Sequence, residues 1–482
     1  MENRESDQSA PARLLLDVSA LSRWAGPVVG IIRMEWELAH FAADNINNVT
    51  FVFFDPESGA HREVNKKWIR PLVERTVSIN PWTFPSRRGR RRRSDRIPVA
   101  IRPMAMWVLQ LRRNLLLSLE HIRLSARSHV TKTIAEKLQR PLISGRYRPH
   151  MVHDDGTRRS VVSFETFLGP KIEFTSKDTL VFAGTPWEHL DIQSVQSAKE
   201  RAGFRLVIVC HDIIPLLFPH FYKDTDVNSF REYYSRAFPL ADLVVFIARA
   251  IERDALAYCK AHHLRINQTC VIRPGADALV RKQAAALPQG IEPGRYALLV
   301  STIEPRKGHQ LIYNVWLKLL EEGIPQSTGF QLVFVGRPGW KVEELLDQLR
   351  NDARLDGSFH LLTSVNDDQL AALYEGAAFC LYPSVYEGYG LPIVEAFSRN
   401  KALLASTGGA IPEVVAGLSP CLDPHDELLW HAMLKKWIVD PRARISCETD
   451  IRSRFRMTPW ASSARQFFET VQRHQIKAQP DH

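Results

Sequence analysis

The sequence predicts an α/β chain made of two halves, each built on a parallel sheet, with the two sheets facing across a cleft. Three observations predict it. Short apolar runs alternate with segments of helical spacing, the signature of repeated strand–helix–strand units. The alternation breaks at 278–294 (ALVRKQAAALPQGIEPG) and then resumes. The length, 482 residues, is long for one domain and comfortable for two.

Residues 1–12 are polar and charged and are expected to be disordered. RLLLDVS (13–19) reads as a buried strand. After a loop holding Gly26, Pro27 and Gly30, IIRMEWELAHFAAD (31–44) has helical apolar spacing, and VTFVFFD (49–55) is a second strand. Residues 76–150 are less regular. They hold RRGRRRRSDR (87–96), with seven arginines against one aspartate, and MAMWVLQLRRNLLLSLEHIRLS (104–125). The latter is either an ordinary docked helix or a basic amphipathic helix lying on a membrane. Alternation returns with a strand at 179–184, a helix at 194–203, strands at 205–210 and 241–247, and a helix at 249–262. TCVIRPGAD (269–277) closes this half.

The second half starts at RYALLVST (295–302). Its first helix, 308–323, carries Leu311, Ile312, Val315, Trp316, Leu319 and Leu320 on one face. Strands are expected at 331–336, 359–364, 378–384 and 402–407. In parallel sheets ligands bind beyond the carboxyl ends of the strands, and a cleft between two such halves is a common site for small molecules.

Composition narrows the partners. A hydrophobic content of 45% with 24% charged residues is ordinary for a soluble globular protein. A net charge of +10 suits nucleic acid, an anionic membrane or phosphorylated ligands. Nucleic acid is disfavoured, because the arginine run has no interleaved aromatics on which bases would stack. The six cysteines, Cys210, Cys259, Cys270, Cys380, Cys421 and Cys447, form no CxxC pair and read as buried, reduced thiols of an intracellular protein. No apolar core of a signal peptide is seen, and no apolar stretch reaches the roughly 20 residues that span a bilayer. The expected location is the cytoplasm, with residues 87–125 as an optional contact to an anionic membrane face.

Four constellations carry chemistry. The first is SVYEGYGLPIVEAFSRN (384–400), which follows a strand. Gly388 and Gly390 let the backbone bend and approach a ligand. Pro392 suits the start of a helix, so the amides around Gly390, Leu391 and Ile393 would offer donors to a phosphate. Glu387 and Glu395, with seven residues between them, would flank that phosphate: Glu387 toward a sugar, Glu395 toward the hydroxyls of a ribose. The plainer reading is a solvated Glu387 and a Glu395 that complements the helix dipole. The second is STIEPRKGHQ (301–310), where Arg306 and Lys307 either neutralise a diphosphate or form a solvated basic pair. The third is VCHDIIP (209–215), where His211 and Asp212 would face the cleft from the first half; a locally satisfied loop histidine is the alternative. The fourth and weakest is GPVVGIIR (26–33), with Gly30 permitting close approach and Arg33 in the first turn of the helix.

With these pieces in place, residues 295–425 resemble family 4 of the retaining glycosyltransferases. The likeness rests on STIEPRKGH, VFVGRPGW, YPSVYEGYGLPIVEAF, STGGAIPEV and the late LDP (422–424). The first half matches more loosely, through LLLDVSAL, GIIR and HDIIPLLFPHFY. The members most similar to it build bacterial surface polysaccharides, mannosyltransferases among them.

The resemblance implies a GT-B fold of two Rossmann-like domains: an acceptor domain over 13–285, with an insertion at about 76–150, and a nucleotide-sugar domain over 286–454. It implies a helix at 455–475 that crosses back to the first domain. It also implies a nucleotide-diphospho sugar as donor, a saccharide or lipid-linked acceptor, no metal or other cofactor, and retention of anomeric configuration. Arg306 and Lys307 would hold the diphosphate. Glu387 would meet the donor sugar near its reacting carbon, and His211 would face that sugar. Glu395 would bind the ribose, with Tyr389, Gly390, Leu391, Gly336, Asp212, Gly30 and Arg33 completing the donor contacts.

Two departures stand out. SRNKALLAS follows the second glutamate where the family has a small residue, a glycine and PV, and Ala248 replaces a frequent serine. Another two-domain sugar enzyme, such as an epimerase or phosphorylase, is the runner-up.

Overall fold

The structure is a computed structural model. It describes residues 12–79 apart from 25, 27 and 29, residues 115, 118, 119 and 122, and residues 128–139, 160–277 and 285–476. The N-terminal residues 1–11, the arginine run, most of 104–125 and residues 278–284 of the expected linker lie outside the described residues.

The chain is α/β, with two sheets of mostly parallel strands. The strands are β1 (Leu14–Asp17), β2 (Val49–Asp55), β3 (Ala60–Val64), β4 (Val77–Ile79), β5 (Ser160–Val162), β6 (Leu168–Lys171), β7 (Thr179–Phe182) and β8 (Arg205–Cys210). They continue with β9 (Leu243–Phe246), β10 (Thr269–Val271), β11 (Tyr296–Val300), β12 (Gln331–Val335), β13 (Phe359–Leu362), β14 (Phe379–Tyr382), β15 (Leu403–Ser406) and β16 (Cys421–Leu422).

The larger sheet runs β10-β9-β8-β7-β1-β2-β3-β6. Its central strand, β1, is parallel to both β2 and β7. LLLD is buried along its whole length, because helices cover both faces of a parallel sheet. The edge is different. β3 pairs antiparallel with β2, and β6 antiparallel with β3. The sequence AHREV hides β3, which lies one strand in from the edge: only His61 and Val64 are buried there, so its half-solvated charged residues break the apolar run that marks a fully covered strand. β4 and β5 form a separate parallel pair at the borders of the irregular segment.

The second sheet runs β13-β12-β11-β14-β15-β16, with all its neighbouring strands parallel. After β11 the chain goes outward to β12 and β13, then returns to place β14 on the other side of β11. The order therefore reverses between β11 and β14, and the crevice beyond their carboxyl ends is where ligands bind in such sheets. The helix His309–Glu321 covers this sheet, with Ile312, Val315, Trp316 and Leu319 fully buried and Leu311 and Leu320 partly so. Each such buried aliphatic side chain stabilises the fold by roughly 1.5–3 kcal/mol.

By its contacts the chain divides into two compact units. One comprises Met1–Val209, Glu232–Val244 and Val471–His482; the other comprises Cys210–Arg231 and Val245–Thr470. This division follows another line than a single boundary near 285. The segment with His211 and Asp212 belongs to the same unit as Arg306 and Glu387. The C-terminal helix Trp460–Ile476 starts where Asp277 accepts from the Trp460 amide at 2.7 Å, and Ser463 donates to the Arg273 carbonyl at 2.6 Å.

All six cysteines are free; Cys210, Cys259 and Cys380 are buried. Among the described residues no helix is long and apolar enough to cross a membrane.

Candidate functional site

Two turns, one after β11 and one after β14, meet at the point where the strand order of the second sheet reverses. The first turn begins at Ile303, whose amide donates to the Arg337 carbonyl at 2.9 Å. Pro305–Lys307 makes one 3₁₀ turn, and Gly308 ends it with φ +74. No other residue fits there: a Cβ on Gly308 would lie 2.4 Å from the Pro383 carbonyl oxygen. The second turn is tied to the first by the Val385 amide, which donates to the Arg306 carbonyl at 2.7 Å. Further on, the Ala410 amide donates to the Glu387 carbonyl at 3.0 Å.

This backbone brings three side chains together. Glu387 is 6% exposed. Its Oε1 lies 2.6 Å from Lys307 Nζ, and its Oε2 lies 3.0 Å from Arg306 Nη1. Both cations are themselves largely buried. Burial works against the Glu387 charge, but the Arg306 guanidinium and the Lys307 ammonium outweigh it and hold the carboxyl down at about 2. The carboxylate expected to meet a sugar is thus the shared counterion of the two residues expected to meet the phosphates.

More acid surrounds them. Glu304 Oε2 faces Arg306 Nε at 3.3 Å. Burial pushes the Glu304 carboxyl up, against the pull of Arg306 and Lys307. Asp212 accepts from the Ile214 amide at 3.0 Å, and burial pushes its carboxyl up as well, with Arg306, Glu387 and Lys307 near enough to act on it. Tyr222 joins the same group: burial raises its hydroxyl while Arg306 lowers it. The site therefore sets three carboxylates and a phenol around two cations. Among the described residues no group of three His, Cys, Asp or Glu side chains is placed to hold a metal ion.

Comparison with known proteins gives this stretch its family. Residues 288–453 match the glycosyl transferases group 1. The serotype-specific mannosyltransferase WbdA of Escherichia coli is 27% identical over 292 residues, covering 57% of this chain and 34% of WbdA. The O-antigen chain mannosyltransferase B of Escherichia coli is 28% identical over 233 residues, covering 46% of this chain and 58% of that one. The O-antigen chain mannosyltransferase RfbU of Salmonella typhimurium is 30% identical over 148 residues, covering 30% of this chain and 38% of that one. The chain spans about a third of the length of WbdA and less than two thirds of the other two. Among solved structures, sucrose-phosphate synthase from Thermosynechococcus elongatus is similar over 62% of this chain and 74% of its own, at 19% identity and a TM-score of 0.47.

Within the glycosyltransferase segment the second glutamate has its own support. Glu395 is half-buried, and its Oε2 accepts from the Tyr374 hydroxyl at 2.9 Å. Of the residues that depart from the family pattern, Arg399 adds to this support. The Arg399 guanidinium lies over the Tyr374 ring at 5.6 Å and donates to the Glu395 carbonyl at 3.3 Å. Asn400 takes the left-handed turn at φ +57, and Lys401 donates to the Ala377 carbonyl at 2.9 Å. The other departure is also compensated. Ala248 precedes the helix Arg249–Ala261 without a side-chain cap, and Glu413 instead accepts from the Ala250 amide at 3.0 Å.

The turn between the glutamates needs one correction. Of the amides expected to be open around Gly390, that of Ile393 donates to the Gly390 carbonyl at 3.0 Å, so it is taken. A single tight turn closes at the start of Leu391–Phe397, which is only seven residues long. Gly390 itself has φ +104, and Tyr389 is half-buried, with Arg273 and Glu413 close to its hydroxyl.

The remaining expected residues are placed as follows. Gly388 passes directly against His211: a Cβ there would lie 2.4 Å from the His211 carbonyl oxygen. His211 is 4% exposed. Gly336, at the end of β12, is even tighter, with a Cβ position 1.7 Å from the Ser301 carbonyl oxygen. Gly30 begins the helix Gly30–Asn45 with φ +55, and Arg33 pairs with Glu37 at 3.7 Å and lies over the Trp36 ring at 5.5 Å. These two belong to the other compact unit.

Sequence reasoning passed over Glu304, Tyr222 and Tyr374. Glu304 and Tyr222 stand inside quoted motifs, beside the residues that were singled out. Tyr374 comes from the helix Asp367–Gly376, and only the fold brings it to Glu395.

Proposed function

We propose that the chain is a retaining glycosyltransferase that moves a sugar, mannose as the first candidate, from a nucleotide-diphospho sugar to a saccharide or lipid-linked acceptor. One observation carries the reading. Arg306 and Lys307, from the carboxyl end of β11, converge on Glu387, from the carboxyl end of β14, where the strand order reverses. A buried cation pair in that place is suited to a diphosphate leaving group. The mannosyltransferase names of the relatives favour mannose and the assembly of surface polysaccharide.

In this reading the diphosphate takes up the charge of Arg306 and Lys307. The bond from the anomeric carbon to the phosphate oxygen breaks, and the acceptor oxygen bonds to the same face of that carbon. The acceptor proton passes to the departing phosphate, so configuration is retained. Glu387 and His211 line the sugar, and Glu395, held by Tyr374, binds the ribose. No metal ion is required, and the work is done on the cytoplasmic side of a membrane.

The test starts with thermal unfolding in the presence of UDP-, GDP- and dTDP-sugars, since a ligand bound only by the folded state raises the midpoint. The stabilising donor is then offered with saccharide and lipid-linked acceptors, with and without EDTA, and the anomeric configuration of the product is read by NMR. No stabilisation by any donor sinks the proposal. Epimerised donor in the absence of acceptor replaces transfer with isomerisation. An inverted product or loss of activity in EDTA removes the corresponding part of the mechanism.

A further inference from the structure

Arg306 is flanked by two carboxylates, and one of them, Glu304, has no role in the reading above. Glu304 is 6% exposed and lies just before the 3₁₀ turn, in extended backbone at φ −138 and ψ 156. Its Oε2 and the Nε of Arg306 are both buried, face each other at 3.3 Å, and have no hydrogen bond among the described residues. The loop after β12 packs over it. The Gly339 amide donates to the Ile303 carbonyl at 2.9 Å, and a Cβ on Gly339 would lie 2.9 Å from Glu304 Cγ. The carboxylate therefore has little room to move.

The other edge of the guanidinium is arranged differently. Nη1 donates to the Tyr386 carbonyl at 3.1 Å and pairs with Glu387 at 3.0 Å. Nη2 has no hydrogen bond among the described residues and is not enclosed. A diphosphate arriving at this edge competes with Glu387 for the same donors. If Glu387 were the sole anchor, Arg306 would lose its orientation as the ligand entered. A planar guanidinium binds phosphate well only when its fork is aimed.

We propose that Glu304 is a positioning residue for Arg306, holding the Nε edge so that the Nη edge faces an incoming diphosphate. This rests on the diphosphate reading of the site. It also makes a prediction opposite in sign to simple electrostatics. Removing a carboxylate beside an anion site lowers the local negative charge and, by Coulomb's law alone, tightens anion binding. Loss of positioning weakens it.

The experiment is calorimetric titration of the full chain with pyrophosphate, GDP and UDP, for wild type, Glu304→Ala, Glu304→Gln, Arg306→Ala and the double variant Glu304→Ala/Arg306→Ala. Glu304→Ala is expected to weaken diphosphate binding about tenfold, the scale of losing one close contact between opposite charges. Glu304→Gln, which keeps a side chain of the same size and an oxygen beside Nε but not the charge, falls between it and wild type. In the Arg306→Ala background the Glu304 substitution is expected to add no further loss. Unchanged or tighter binding by Glu304→Ala overturns the inference, as does an equal loss in the Arg306→Ala background. If Glu304→Ala gives no cooperative melt, Glu304→Gln decides alone: wild-type or tighter affinity refutes the role. If wild type binds none of the three diphosphates, the diphosphate reading falls and this inference falls with it.

Discussion

Lys307 Nζ lies 2.6 Å from Glu387 Oε1, and both groups are largely out of water. Among the described residues Glu387 is the carboxylate that pairs with both cations, through Lys307 on one oxygen and Arg306 on the other. A substitution that removes its charge leaves buried Lys307 without its ion-pair partner and Arg306 with Glu304 alone.

Glu387→Gln is therefore expected to lower stability as well as activity, by about 3–5 kcal/mol, as when one partner of a buried pair is removed. Urea denaturation measures it. Lys307→Met is expected to couple with Glu387→Gln, so that the double variant loses less than the sum of the singles. An undiminished unfolding free energy in Glu387→Gln would show that the cations find other partners.

The same pair sets a pH dependence. The folded carboxyl of Glu387 is held at about 2, against about 4.3 for an unperturbed glutamate. A depressed carboxyl stabilises the fold fully above the unfolded value. That contribution is lost as the pH falls from about 4.3 through about 2, because the unfolded chain then binds more protons. Unfolding free energy plotted against pH should fall steeply over that window in wild type and less steeply in Glu387→Gln. Parallel curves would remove Glu387 as the source.

Tyr374→Phe separates the two glutamates. The hydroxyl that holds Glu395 at 2.9 Å is lost, at a cost in stability of about 1 kcal/mol. If Glu395 binds the ribose, GDP and UDP bind more weakly to the variant while pyrophosphate binds as before. Equal weakening of all three would place Glu395 at the phosphates instead.

Gly388→Ala tests the meeting of the two turns. The added methyl would lie 2.4 Å from the His211 carbonyl oxygen, which is backbone and cannot rotate away. A loss of at least 1–3 kcal/mol, the usual range for overpacking, is expected in thermal or urea unfolding. A variant as stable as wild type would mean that the 384–390 turn can shift freely away from His211.

Burial pushes the Cys380 thiol up to about 12 and the Cys259 thiol up to about 11. Since the thiolate is the reactive form, both are expected to resist an aromatic disulfide reagent at neutral pH until the chain is unfolded. Rapid labelling of either in the folded protein, read by mass spectrometry, would contradict their placement.

The parallel strands were legible because a strand covered on both faces is an unbroken apolar run. LLLD, TLVF, FCLY and LLAS are of this kind, and each is buried throughout. AHREV was not legible, because an antiparallel strand with only two of its five residues buried looks like a charged loop. In the site, Arg306, Lys307 and Glu387 were found from their places after strands. Their mutual pairing was not, since the two turns stand 80 residues apart in sequence. The support of Glu395 by Tyr374 and Arg399 was hidden for another reason. SRNKA reads as a departure from a family pattern, and only contacts in space show that its Arg399 lies against Glu395 and Tyr374.

Glu387 also has a consequence for which anions the site admits. It is an anion tethered in place, and a tethered group competes at an effective concentration on the order of millimolar or more. A free phosphate ion must displace it with nothing else to gain. A ligand that also brings a sugar and a ribose has further partners to offset the loss. If the site holds a diphosphate as proposed, the carboxylate closes back on Arg306 and Lys307 as that ligand leaves, so release need not expose two bare buried cations. In that proposed reading the ion pair excludes small competitors from the cation pair and assists product departure.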